Sequence, residues 1–119
     1  MNKIIFNKIK FINIHQKDFD NVTSKKGLFV FPSGPGLATI KNEFKYLESL
    51  RNSDYVFFDS GYFVLLLKIL KNIEVKKFSG YYFLKLLFNK FKKKNNLKIL
   101  SVDPNYKLSN KNRNFFVNL

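Results

Sequence analysis

The sequence contains no cysteine, which excludes disulfides, thiolate metal sites and cysteine nucleophiles. Histidine occurs once, as His15, in a polar stretch with no partner carboxylate at a recognisable spacing, so it reads as a surface residue. Arginine is confined to Arg51 and Arg113, although it is the usual reader of guanine edges and planar phosphate forks. Long apolar runs are also missing. The longest, such as Phe63 to Leu67, stop at lysine, far short of the roughly 20 apolar residues of a membrane helix. The opening MNKIIFNKIKFINI spreads its lysines throughout instead of setting a charged end before an apolar stretch, so no signal peptide is expected. A cytoplasmic chain follows as the expectation, with any membrane contact peripheral, at the inner face.

The 119 residues are 45% hydrophobic and 18% aromatic, enough for one core, and residues 1–119 are read as a single α/β domain. The formal net charge is +14, a value that suits phosphate-rich surfaces. The cations are nearly all lysine and accompany abundant Asn, Phe and Ile, a combination that an AT-rich genome also produces, so the excess is discounted as a sign of a partner. Specific nucleic-acid recognition is not expected; a basic nucleic-acid or anionic-lipid binder stays as an alternative.

Periodicity divides the chain into short pieces. Residues 3–14 alternate irregularly between Lys or Asn and Ile or Phe, predicting one or two short strands, and a loop or helical turn follows over 16–26. Gly27 to Phe31 reads as a buried strand stopped by Pro32-Ser33-Gly34-Pro35-Gly36. Leu37, Ile40, Phe44, Leu47 and Leu50 fall at helical spacing. Asp54 to Phe58 is a second buried strand ended by Asp59-Ser60-Gly61, and the apolar stretch 62–70 predicts a helix deep in the core. Residues 73–78 form a connection to a helix from Ser79 to about Lys92, ending in the basic run through Lys94 and the pair Asn95-Asn96. A further strand is predicted over 97–102, closed by Asp103-Pro104-Asn105, with Ser109 capping a last helix that carries Phe115, Phe116 and Leu119.

Strands alternating with helices predict a Rossmann-like parallel sheet with helices on both faces. So few strands make an incomplete fold, and the chain is expected to be a fragment, a split gene product or one part of an assembly, possible as a homo-oligomer through an exposed sheet edge. Ligands of such sheets lie beyond the carboxyl ends of the strands. Three polar clusters fall there: Pro32-Ser33-Gly34, Asp59-Ser60-Gly61 and Asp103-Pro104-Asn105. Asp59, between a buried strand and an apolar helix, is a candidate general base at the edge of a dry region. Its alternative role is to cap the helix that starts near Ser60. The PSGPG loop can hold a phosphate or sugar on backbone N–H groups, but it is neither GxGxxG nor a Walker loop, and a plain strand-to-helix turn is the default reading.

Phe31-Pro32-Ser33, an amphipathic helix, Ser53-Asp54-Tyr55-Val56-Phe57-Phe58-Asp59-Ser60-Gly61 and Lys77-Phe78-Ser79-Gly80 together resemble the WecG/TagA/CpsF family of bacterial glycosyltransferases over about residues 27–103. That family is roughly twice this chain's length on the single-domain scale. The resemblance implies transfer of an N-acetylmannosamine-type sugar from a UDP-sugar to a polyprenyl-diphosphate-linked acceptor, with inversion and without metal or cofactor, in cell-surface polysaccharide synthesis. It makes Asp59 the catalytic base and Pro32, Ser33 and Gly34 acceptor contacts. Ser60, Gly61, Lys77 and Gly80 become further substrate-binding residues. For the departing diphosphate no motif supplies a clear partner, and Lys76 and Lys77 are this chain's own candidate helpers. Phe31 stands where the family has threonine, Ser33 where it has asparagine, Lys77 where it has arginine and Tyr82 where it has aspartate. A non-catalytic fragment or partner subunit of such an enzyme is the alternative.

Overall fold

Alternation in the first residues resolves into a β-hairpin, β1 (Asn2–Phe6) and β2 (Ile9–Asn13), paired antiparallel from Asn2↔Asn13 to Phe6↔Ile9. Asn7 and Lys8 turn it with φ of 49° and 64°, the positive values of a tight two-residue hairpin. Arg51 Nε donates to the Asn7 carbonyl at 3.2 Å and ties this turn to the end of a helix. The computed structural model describes residues 2–93 and 97–118. Lys94, Asn95, Asn96 and Leu119, included in the sequence expectations, lie outside the described residues.

After a 3-10 turn (Gln16–Asp18) and the short α1 (Phe19–Thr23), β3 (Phe29–Val30) leads to α2 (Gly34–Ala38), a 3-10 turn (Ile40–Asn42) and α3 (Phe44–Arg51). β4 (Tyr55–Phe57) then feeds α4 (Gly61–Lys71), α5 (Gly80–Phe91) and α6 (Tyr106–Val117). The sheet order is β1-β2-β4-β3, with β4 parallel to both of its neighbours. The architecture is α/β with a mostly parallel sheet; the hairpin partner β1 makes it mixed.

Successive side chains of a strand face opposite sides, and both sides are dry here. Ile9, Phe11, Val56 and Phe58 pack with Leu37, Ile40, Leu50, Phe63 and Leu67 from α2, the Ile40–Asn42 turn, α3 and α4. On the other face Phe57 meets Phe31, Phe78 and Phe83 at ring separations of 4.5, 5.9 and 5.5 Å, and Phe83 meets Phe19 of α1 at 5.4 Å. Helices therefore cover both faces.

The chain divides into two compact units, Met1–Phe83 and Leu84–Leu119. The first contains the sheet. In the second, Phe88 of α5 packs edge-on against Phe115 and Phe116 of α6 at 5.4 and 5.6 Å.

Four local expectations change. The helix expected deep in the core over 62–70 packs on the sheet by one side only, burying Phe63 and Leu67, while Tyr62, Leu65, Ile69 and Leu70 are exposed. The helical pattern from Leu37 to Leu50 is three elements, because Glu43 leaves the helical region at φ −113°, ψ 71°; Phe44, expected in the core, is 70% exposed. Residues 97–102 form no strand. A strand needs a partner for its backbone N–H and C=O groups, and Leu97, Ile99, Leu100 and Val102 are all exposed. The last helix is capped by Asn105, whose side chain accepts from the Leu108 N–H at 3.0 Å, and not by Ser109. Asp103 accepts hydrogen bonds from Ser101 and from Asn112 of α6, so the third polar cluster caps the start of a helix and does not end a strand.

Candidate functional site

Two of the three clusters do meet, beyond the carboxyl ends of β3 and β4. After β4 the chain turns tightly, Asp59 N–H donating to the Phe57 carbonyl at 3.1 Å. Ser60 then caps α4, its Oγ accepting from Phe63 N–H at 3.2 Å. Asp59 is half-buried and turns to a different helix: its Oδ1 accepts from the N–H of Gly80, the first residue of α5, at 3.1 Å. Ser79 Oγ accepts from Tyr82 N–H at 3.2 Å at the same helix end. Carboxylate and hydroxyl together satisfy two of the free donors that open a helix. Among the described residues Asp59 Oδ2 receives no hydrogen bond or ion pair.

The other predicted residues gather around this bond. Pro32 is buried. Ser33 caps α2 with its Oγ 3.3 Å from Gly36 N–H. Gly34 approaches so closely that a Cβ there would lie 2.8 Å from Ser60 Oγ, and Gly80 sits on Phe31, where a Cβ would lie 3.1 Å from the ring. Lys77 lies across Gly61, its Cδ 3.7 Å and Nζ 4.0 Å from where a Cβ would be. Phe78 N–H donates to the Phe58 carbonyl at 2.8 Å and fastens the Lys77 segment to the end of β4.

The Gly34–Ser60 contact gives a sharp test of this packing. Alanine at position 34 must displace the Ser60 hydroxyl from its cap. Gly34→Ala is expected to cost about 1 kcal/mol, measured by urea denaturation, and a Gly34→Ala/Ser60→Ala double variant to show less than the sum of the single losses.

The connections out of the strands diverge. From β2 the chain passes to α1 on the Phe57 face, and from β4 to α4 on the Phe58 face, where Phe63 stacks near Phe11 and Phe58. Such a divergence opens a crevice between neighbouring strand ends. A groove of about 590 Å³ lies there, lined by Asn13 and His15 after β2, Gly61, Leu65 and Lys68 of α4, and Lys76 of the connection. Asn13 Oδ1 accepts from Lys76 N–H at 3.1 Å and holds the connection over the strand end. A second groove of about 470 Å³ adjoins it; His15 and Lys76 line both, and Lys77 lines the second. Asp59 lines neither groove.

Lys68 and Glu74 form an exposed ion pair of 2.9 Å at the rim; the shared hydrogen bond holds the Glu74 carboxyl below, and the Lys68 ammonium above, their ordinary ranges. No cluster of three or more metal-ligating carboxylates and imidazoles occurs among the described residues. Nor is any helix among them long and apolar enough to cross a membrane.

Asn13 and His15 were not legible as site residues. The one available signal was position, since both sit at the end of a strand. His15 is indeed exposed, yet it faces both grooves. Its backbone is held by Asp18: His15 N–H donates to Asp18 Oδ2 at 2.9 Å, and this bond keeps the Asp18 carboxyl below the usual carboxylate range. A depressed folded-state value means the contribution is present above the unfolded value and disappears as pH falls through the folded one. Asp18→Asn is therefore expected to be less stable than the unaltered chain near neutrality, with the two urea midpoints converging on acidification below about pH 4.

No protein-family model matches the chain, and neither a curated protein nor a solved structure matches it.

Proposed function

We propose that this chain is the acceptor-side part of an inverting, metal-independent glycosyltransferase of the WecG/TagA/CpsF type. It would transfer an N-acetylmannosamine-type hexose from a UDP-sugar to a polyprenyl-diphosphate-linked acceptor in cell-envelope polysaccharide synthesis. The observation that carries the reading is the meeting of Asp59, the Ser33-Gly34 turn, Lys77 and Gly80 beyond two parallel strands, from segments far apart in sequence. In the proposed step Asp59 takes the proton of an acceptor hydroxyl. The hydroxyl oxygen attacks the anomeric carbon from the face opposite the leaving group, the bond to UDP breaks, and UDP departs with the electron pair. Gly80 N–H fixes one carboxylate oxygen and leaves the other for the hydroxyl. Lys76 and Lys77 supply positive charge for the diphosphate.

Release of UDP from a UDP-N-acetylhexosamine in the presence of a polyprenyl-diphosphate acceptor tests the reading, with an inverted product expected. Failure across the UDP-N-acetylhexosamines would retire it.

A second reading has its own support. Because Asp59 caps α5 and lines neither groove, the motif also suits a non-catalytic chain that keeps the fold as a partner subunit. On that reading a complementing polypeptide restores transfer, and Asp59→Asn in this chain leaves the rate of the pair unchanged.

A further inference from the structure

Helix α4, GYFVLLLKILK, is apolar nearly all round, the composition of a helix covered on every side. Only one side is covered. Phe63 and Leu67 are buried in the core, whereas Tyr62, Leu65 and Ile69 are 69%, 51% and 67% exposed. At 100° per residue these three fall within one narrow stripe on the face opposite Phe63 and Leu67. Leu70, 70% exposed, extends the apolar surface around the last turn.

Charge lies along one flank of this stripe. Lys68, which is paired with Glu74, and Lys71 lie in the last turn, and the Lys77 ammonium lies over Gly61 at the first. The whole chain carries +14. Apolar side chains with an aromatic among them, flanked by lysine, match the boundary between acyl chains and acidic headgroups. There Leu and Ile enter the hydrocarbon edge, Tyr sits at the interface and Lys stems extend toward phosphate. A nucleic acid has no use for an aliphatic stripe, and its usual reader, arginine, is nearly absent.

We infer that the outer face of α4 docks on an anionic membrane. Leu65 belongs both to the stripe and to the groove at the β2–β4 divergence, as Lys68 does to the rim of each. A docked α4 therefore sets that groove, with His15 and Lys76, at headgroup level. This deepens the glycosyltransferase reading by naming the face through which the site meets a lipid-linked acceptor. It rests on that reading for the acceptor alone; binding to lipid is read without turnover.

Co-sedimentation of the full chain with phosphatidylcholine vesicles, with and without phosphatidylglycerol, tests the face. The unaltered protein is expected on the anionic vesicles only. Leu65→Ser/Ile69→Ser is expected to bind them about tenfold more weakly or worse, and Lys68→Gln/Lys71→Gln to lose roughly tenfold at low salt, both with an unchanged circular dichroism spectrum. Asp59→Asn is expected to bind like the unaltered protein, which separates docking from transfer. Undiminished binding by Leu65→Ser/Ile69→Ser would overturn the inference, as would equal binding to neutral vesicles. Self-association that the same double variant abolishes, without vesicle binding by the unaltered chain, would assign the stripe to a second copy instead.

Discussion

Asp59→Asn is expected to slow sugar transfer by about 10²–10⁴-fold while shifting the urea midpoint by no more than about 0.5 kcal/mol in stability. The separation follows from the geometry. The side-chain carbonyl of asparagine still accepts from Gly80 N–H, the bond that Asp59 Oδ1 makes at 3.1 Å, so the start of α5 keeps its cap. What the amide lacks is a basic oxygen for the acceptor proton. Asp59→Ala removes both and is expected to lose stability as well, by about 1–2 kcal/mol, the usual range for a deleted helix cap. A rate that survives in Asp59→Asn, with stability falling only in Asp59→Ala, would identify the carboxylate as a cap and nothing more. Initial rates of UDP release and urea titrations of the same two proteins distinguish the outcomes.

Phe57→Ala is expected to cost about 3–5 kcal/mol, the largest loss of any single substitution considered for this chain. Phe57 is fully buried in the central strand, with rings of Phe31, Phe78 and Phe83 around it, and such pairs add about 0.5–1.5 kcal/mol each beyond area burial. Since small domains are held by only about 5–15 kcal/mol, the variant is expected to unfold at low urea or on mild warming. The consequence reaches the site, because Phe31 supports Gly80 and Phe78 anchors the Lys77 segment. Phe57→Leu keeps more of the volume and is expected to retain the fold at a cost of about 1–2 kcal/mol. Phe44→Ala serves as the control: that ring is 70% exposed, and a change within about 0.5 kcal/mol is expected.

Local pattern carried much of the fold. The runs ending at Phe31 and Phe58 contain strands, the first only half-buried; the apolar stretch after Ser60 is a helix, though one side of it is exposed; and the clusters following the two strands do meet. Each of these depends on neighbours in sequence: side-chain alternation, apolar spacing, or a serine placed to accept a backbone N–H. The errors fell where a partner had to come from elsewhere. Leu97 to Val102 has the composition of a strand, but pairing is a property of two segments, and among the described residues no second one meets it. Leu37 to Leu50 has helical spacing, yet Glu43 breaks the path.

The candidate site divides in the same way. That Asp59 ends a buried strand, and that a cap must follow it, was determined by the sequence alone, because a chain leaving the core needs a polar residue to take its free backbone groups. Which helix it caps was decided by tertiary structure: Ser60 took α4, and the carboxylate went to Gly80, 21 residues away. The same holds for the groove, where Asn13, His15 and Lys76 meet only because the strand order places β2 beside β4 and the chain leaves those strands toward opposite faces. Periodicity along a chain reports which side of an element is dry; it carries no record of which distant segment supplies the cover.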